Sequence, residues 1–146
     1  MKKQAYEMIA MIALVGALAV ATQAQAGGRT PLIATIPFDF NVGNQKLPAG
    51  EYMVRVIGSD ENILQISNID GRKRVVLLTR PVPGKIQDNA KLVFNRYGDT
   101  YFFVQAWTPG LSTGMQALKS RAERNLVREL AGVKPQTKVI ALTRSR

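Results

Sequence analysis

The 146-residue chain has no histidine and no cysteine. Without Cys there is no disulfide, no thiolate nucleophile, no zinc–thiolate site and no lipidated cysteine. Without His it lacks the commonest general base and the commonest transition-metal ligand. A Ser-His-Asp triad cannot be assembled within the chain. Carboxylate-only, Ser–Lys or Tyr-based chemistry stays open. Acidic residues are also scarce, with ten Asp and Glu against twenty Lys and Arg, a formal charge of +10. No cofactor or metal is expected from this composition. The length fits one domain.

The amino terminus follows the order of a secretory signal. Lys2 and Lys3 precede an apolar run from Met8 to Ala21, and Ala24-Gln25-Ala26 places small residues where a signal peptidase reads them. At 14 residues the run is shorter than the ~20 a spanning helix needs. Cleavage after Ala26 is expected, leaving residues 27–146 as a single domain. The loss of Lys2, Lys3 and Glu7 leaves 18 basic and 9 acidic groups, net +9. A domain of that size buries roughly two thirds of its unfolded surface, enough to fold without disulfides.

The remainder reads as strand after strand. Phe38, Phe40 and Val42 alternate with Asp39 and Asn41, the period of a half-buried strand. Tyr52, Val54 and Val56 repeat the pattern after the turn Leu47-Pro48-Ala49-Gly50. Asp70-Gly71 predicts a type I′ hairpin in which Ile69 faces Arg72, Ile66 faces Val75 and Leu64 faces Leu77. Leu64, Ile66, Val75 and Leu77 then share a core face. Pro81 to Ala90 and Pro109 to Gly114 read as loops. Gly98-Asp99 predicts a II′-type hairpin with Arg96 opposite Tyr101, Phe94 opposite Phe103 and Leu92 opposite Gln105. Arg96 can lie over the Tyr101 ring. Both faces of this hairpin are partly apolar, which predicts a central position covered on both sides.

Ser120-Arg121-Ala122-Glu123 matches a capping box, so a helix is expected from about Arg121 to Ala131, with Gly132 as its stop. Leu126, Val127 and Leu130 form its apolar stripe. Lys138 to Thr143 can return as a last strand. The expected fold is all-β, an antiparallel β-sandwich or small β-barrel with one C-terminal α-helix, the sandwich being favoured.

Most of the polar residues are explained as turn formers. Asp60, Glu61, Asp70 and Asp99 sit in turns, and no two carboxylates are placed across a cleft for catalysis. Ser112 and Thr113 lie in a Gly-flanked loop with no base beside them. Asp39 points away from Phe38 and Phe40; if that side is covered it needs a partner such as Arg55 or Arg96. Two basic groups remain. Arg72, Lys73 and Arg74 follow the Asp-Gly turn, while Arg121, Arg124 and Arg128 share a helix face that Lys119 extends. Together they form the candidate anion-binding face. Phe94, Tyr101, Phe103 and Trp107 form a candidate aromatic pocket, although alternating strand aromatics more often fill a core.

Ile36-Pro-Phe-Asp-Phe-Asn-Val-Gly43 and Leu47-Pro-Ala-Gly-Glu-Tyr52 resemble the opening of a family of uncharacterised exported acidobacterial-type proteins. The resemblance continues through Lys91-Leu-Val-Phe-Asn-Arg-Tyr-Gly-Asp99, Ala106-Trp-Thr-Pro-Gly110 and Ser120-Arg-Ala-Glu-Arg124. It spans most of the chain after the leader. It implies an exported β-rich domain and supplies no activity and no functional residue.

The expectation is therefore an exported, non-enzymatic binding protein of the periplasm, cell surface or medium. Its basic face would contact anionic glycan, lipopolysaccharide or lipid headgroups. Nucleic acid is not the expected partner, because no recognised module is present and the chain carries an export signal. The alternative is a carrier of a small apolar ligand in a β-barrel cavity.

Overall fold

A computed structural model describes residues 30–144. The expected leader, residues 1–26, lies outside the described residues. The strands are β1 (Leu32–Ile36), β2 (Phe40–Val42), β3 (Gln45–Leu47), β4 (Gly50–Ile57), β5 (Ile63–Asn68), β6 (Arg74–Pro83), β7 (Lys91–Tyr97), β8 (Thr100–Trp107) and β9 (Thr113–Ala117). The helix α1 (Arg121–Glu129) follows, then β10 (Gln136–Ala141) and β11 (Thr143–Arg144). The fold is all-β with one helix near the carboxyl end. Pairing is antiparallel, except that Asn41 of β2 sits parallel against Phe102 of β8. Among the described residues no helix is long and apolar enough to cross a membrane.

Two sheets form a sandwich joined at two corners. One runs β11-β1-β4-β5-β6 and the other β10-β7-β8-β9-β6. At the first corner β6 changes partner. Its first half pairs with β5, from Ser67–Arg74 to Ile63–Leu78, and its second half with β9, from Thr79–Ala117 to Pro83–Thr113. At the second corner the carboxyl-terminal segment does the same, with β10 on β7 and β11 on β1. Only Leu142 separates β10 from β11. Its side chain is buried and its N–H donates to the Ala90 carbonyl at 2.9 Å. Strands that switch sheets at corners are how two packed sheets close on one core.

Period-two alternation puts the core between the sheets. Ile36, Phe40, Tyr52, Leu64, Ile66, Leu92 and Phe94 are each at most 1% exposed. Full burial of such a side chain is worth roughly 1.5–3 kcal/mol. One end is filled by rings. Phe40 meets Tyr52 and Phe94 edge-on at 5.0 and 5.5 Å, and Phe38 stacks on Tyr101 at 3.8 Å. The other end is lined by smaller aliphatic residues and does not fill completely.

Both expected hairpin registers form near their turns. Ile66 faces Val75 and Leu64 faces Leu77, although Leu77 is only partly buried. Arg96 faces Tyr101, with its guanidinium 5.5 Å from the ring, and Phe94 faces Phe103. The turn chemistry of the first hairpin differs from expectation. Only Gly71 has positive φ, so the turn is not type I′. It spans Asn68–Gly71, and the last closing bond runs from the Asn68 N–H to the Lys73 carbonyl, so Ile69 does not pair with Arg72. The Ile69 N–H donates instead to the Glu51 carbonyl at 3.3 Å and the Arg72 N–H to Asp70 Oδ1 at 3.0 Å. In the second hairpin a bulge at Val104 shifts the ladder, so Leu92 faces Ala106 and Val93 faces Gln105.

The strands β1, β3 and β9 are not among those expected from the sequence. β1 lies ahead of the alternating segment, and the strand expected through Phe38 breaks at Pro37 to Asp39. β9 begins inside the segment read as loop. β6 runs on through Pro81 and Pro83, inside the segment expected as loop from its two prolines and glycine, although proline donates no ladder hydrogen bond. The Thr79 N–H donates sideways to Asn62 beside the start of β5. By alternation the nitrogens of Pro81 and Pro83 point to that same side, past the end of β5, where no ladder runs. The expected last strand is longer at its start and interrupted at Leu142.

Candidate functional site

The unfilled end of the sandwich is a pocket of about 300 Å³. Leu32 of β1, Val54 and Val56 of β4, Leu64 of β5 and Met115 of β9 form its walls. Thr30 and Thr108 stand at its rim, and Leu111, 38% exposed on the β8–β9 loop, lies at its opening. The lining carries no charged side chain. Residues of both sheets alternate inward here, and the strand residues Leu32, Val54, Val56, Leu64 and Met115 are smaller than the Phe40 and Phe94 rings that fill the other end. An apolar concavity with a few polar groups at its edge is the usual form of a small-molecule site.

Trp107 also lines this pocket. Its ring lies flat on Gly114 of β9 and against Gly84 of the β6–β7 crossover, where any Cβ would collide with it. Its Nε1 donates to Gln105 Oε1 at 3.0 Å, and Lys91 Nζ sits 5.7 Å from the ring. The other three aromatics of the expected aromatic pocket are elsewhere. Phe94 is fully buried, Phe103 packs edge-on against it at 6.0 Å, and Tyr101 stacks on Phe38. The sequence shows four aromatics on one hairpin but not that a bulge divides them.

A second constellation joins the helix to the sheet. Glu123 is 4% exposed and is the one buried residue of α1. Its Oε1 accepts from Tyr97 Oη at 3.0 Å and Asn95 Nδ2 at 3.1 Å. Burial, reinforced by the carboxylate of Glu123, pushes the Tyr97 hydroxyl up to about 12. The capping box is thus only half made. Ser120 Oγ accepts from the Glu123 N–H at 3.1 Å, but the Glu123 side chain turns to β7 instead of back to Ser120. Asn44 Oδ1 takes the Ala122 N–H at 3.3 Å. The apolar stripe is weaker than expected, since Leu126 and Val127 are half-buried and Leu130 is 36% exposed.

The basic residues fall into two groups on different sheets. Arg72, Lys73 and Arg74 are exposed at the tip of the β5–β6 hairpin, where Arg72 pairs loosely with Asp70 at 3.8 Å. Lys119, Arg121, Arg124 and Arg128 are exposed on or beside α1, outside the β7–β8 hairpin. Arg124 Nη1 donates to the Lys119 carbonyl at 2.8 Å. None of these four meets a carboxylate among the described residues. Asp39 is exposed and accepts the Ala49 N–H at 2.9 Å, the solvent-side case. Among the described residues no three acidic groups gather as a metal site would require.

No protein-family model, no curated protein and no solved structure matches this chain.

Proposed function

We propose that this protein is an exported, non-enzymatic binding protein that holds a small apolar ligand in the pocket at the open end of its sandwich. The observation that carries this reading is the uncharged concavity of about 300 Å³ walled by Leu32, Val54, Val56, Leu64 and Met115. The leader pattern and the resemblance to an exported family support export. A ligand of this kind gains about 25 cal/mol for each Å² of apolar surface it hides from water. The test is titration of the mature protein with 1-decanol, followed by the emission of Trp107, the single tryptophan. Saturable change in the wild type and its loss in Leu111→Asp are expected. A non-saturating response, or the same response in the variant, would sink the reading.

A second reading rests on a different observation. Arg121, Arg124 and Arg128 stand exposed on one helix face with no described carboxylate to neutralise them, which suits contact with an anionic envelope surface. Binding to anionic vesicles should fall steeply with salt and with the triple change of these arginines to Gln. Salt-independent binding would remove it.

A further inference from the structure

The bulge at Val104 does more than shift a ladder. On one side β8 pairs with β7 along its length except at the bulge, but on its other side it changes neighbour. Gln105 and Ala106 pair with β9, whereas Phe102 meets β2. Between them, Phe103 and Val104 have no strand alongside, so the sheet forks. A groove of about 430 Å³ lies at this fork, beside the start of α1, and is separate from the apolar pocket.

Its lining is polar and comes from five segments. Arg80 of β6 and Gln116 of β9 are cross-strand partners, and Asn95 comes from β7. Lys119 precedes the helix and Glu123 projects from it. Glu123 is the decisive group. Its Oε1 accepts both described hydrogen bonds, from Tyr97 and Asn95. Its Oε2 accepts none from the described residues, and Glu123 lines the groove. A residue only 4% exposed thus lines the groove with one carboxylate oxygen still able to accept a hydrogen bond. Tyr97 and Asn95 hold that carboxylate in place, and its free oxygen calls for a ligand donor. The exposed cations Arg80 and Lys119 at the outer wall call for an anion. The amides of Asn95 and Gln116 suit hydroxyls.

We propose that this groove binds a sugar bearing a carboxylate, a uronic acid. Its carboxylate meets Arg80 and Lys119, and a hydroxyl donates to Glu123 Oε2. The same chemistry occurs in a free monosaccharide and at the end of an acidic polysaccharide.

The test is calorimetric titration of the mature protein with D-glucuronate, D-galacturonate, an oligogalacturonide, D-glucose and L-glutamate. Saturable binding of a uronate is expected, at least tenfold weaker in Arg80→Gln/Lys119→Gln and undetectable for glucose. These two cations are exposed, so the double variant should keep the fold, checked by its urea midpoint. Tighter binding of the oligomer than the monomer would assign the source to polysaccharide, and equal binding to the free sugar. Uronate binding equal to that of glucose, preference for glutamate, insensitivity to the double change, or no uronate binding would overturn the proposal. Displacement of decanol by the uronate would also overturn it, because the two sites are separate.

Discussion

Glu123 of the helix accepts the hydroxyl of Tyr97 on β7 at 3.0 Å, and both side chains are 4% exposed. The helix is thus fastened to the sheet by a carboxylate more than by its apolar stripe. Glu123→Ala leaves the Tyr97 hydroxyl and the Asn95 amide without their acceptor. Hydrogen bonds to a charged group are worth about 1.5–3 kcal/mol each, and orphaned buried donors add a penalty. A loss of about 2–3 kcal/mol in urea unfolding is expected, with about half that for Glu123→Gln. A loss under about 0.5 kcal/mol would mean the helix is held some other way.

The same pair sets an alkaline limit. In the unfolded chain a tyrosine loses its proton near 10, whereas Tyr97 in the fold holds it to about 12. The folded state therefore binds more protons between these values, and stability must fall as pH rises through that window. Below pH 10 the contribution is fully present. At about 1.4 kcal/mol per pKa unit, the loss by pH 12 is of the order of 2–3 kcal/mol. Tyr97→Phe should flatten this part of the stability profile. An unchanged slope in that variant would assign the alkaline loss to other groups.

Trp107 rests on two glycines because a side chain at either would occupy its ring. A Cβ at Gly114 would stand 2.7 Å from Cδ2 and Cε2 of the indole. Both contacts are with a large ring wedged in place, so the strain cannot be relieved at a flexible tip. Gly114→Ala should cost about 1–3 kcal/mol and shift the tryptophan emission to longer wavelength. Wild-type emission and stability would show that the ring moves freely.

Ala131 takes a conformation better suited to glycine. Its φ is +50°, and its N–H reaches the Arg128 carbonyl while that of Gly132 reaches Val127. This is the Schellman pattern, with the left-handed position one residue before the glycine expected to end the helix. Ala131→Gly should stabilise the protein by about 0.5–1 kcal/mol, after the greater freedom of glycine in the unfolded chain is offset. A lower thermal midpoint would contradict this.

Alternation made the core legible. The face shared by Leu64, Ile66 and Val75, and the pairing of Arg96 with Tyr101, follow from period two and a turn position alone. The closure did not. Nothing local in Thr143–Arg144 signals a return to β1, and the sheet order depends on contacts far apart in sequence. The prolines of β6 misled because their meaning depends on which strand ends beside them. A cavity was among the expectations and Trp107 lines it, but its aliphatic walls were not legible, for a related reason. Val54 and Leu64 carry the same pattern as Ile66, and only the size of the residues facing them decides whether space remains. Glu123 was visible as a cap, but its partners on β7 lie 26 and 28 residues away.

The most direct test of the binding reading is a native mass spectrum of the mature protein, purified gently from its own exported fraction. The account predicts the mass of residues 27–146 plus an apolar adduct that is absent from Leu111→Asp prepared in the same way. The bare mass in the wild type, together with no saturable uptake of added decanol, would contradict it.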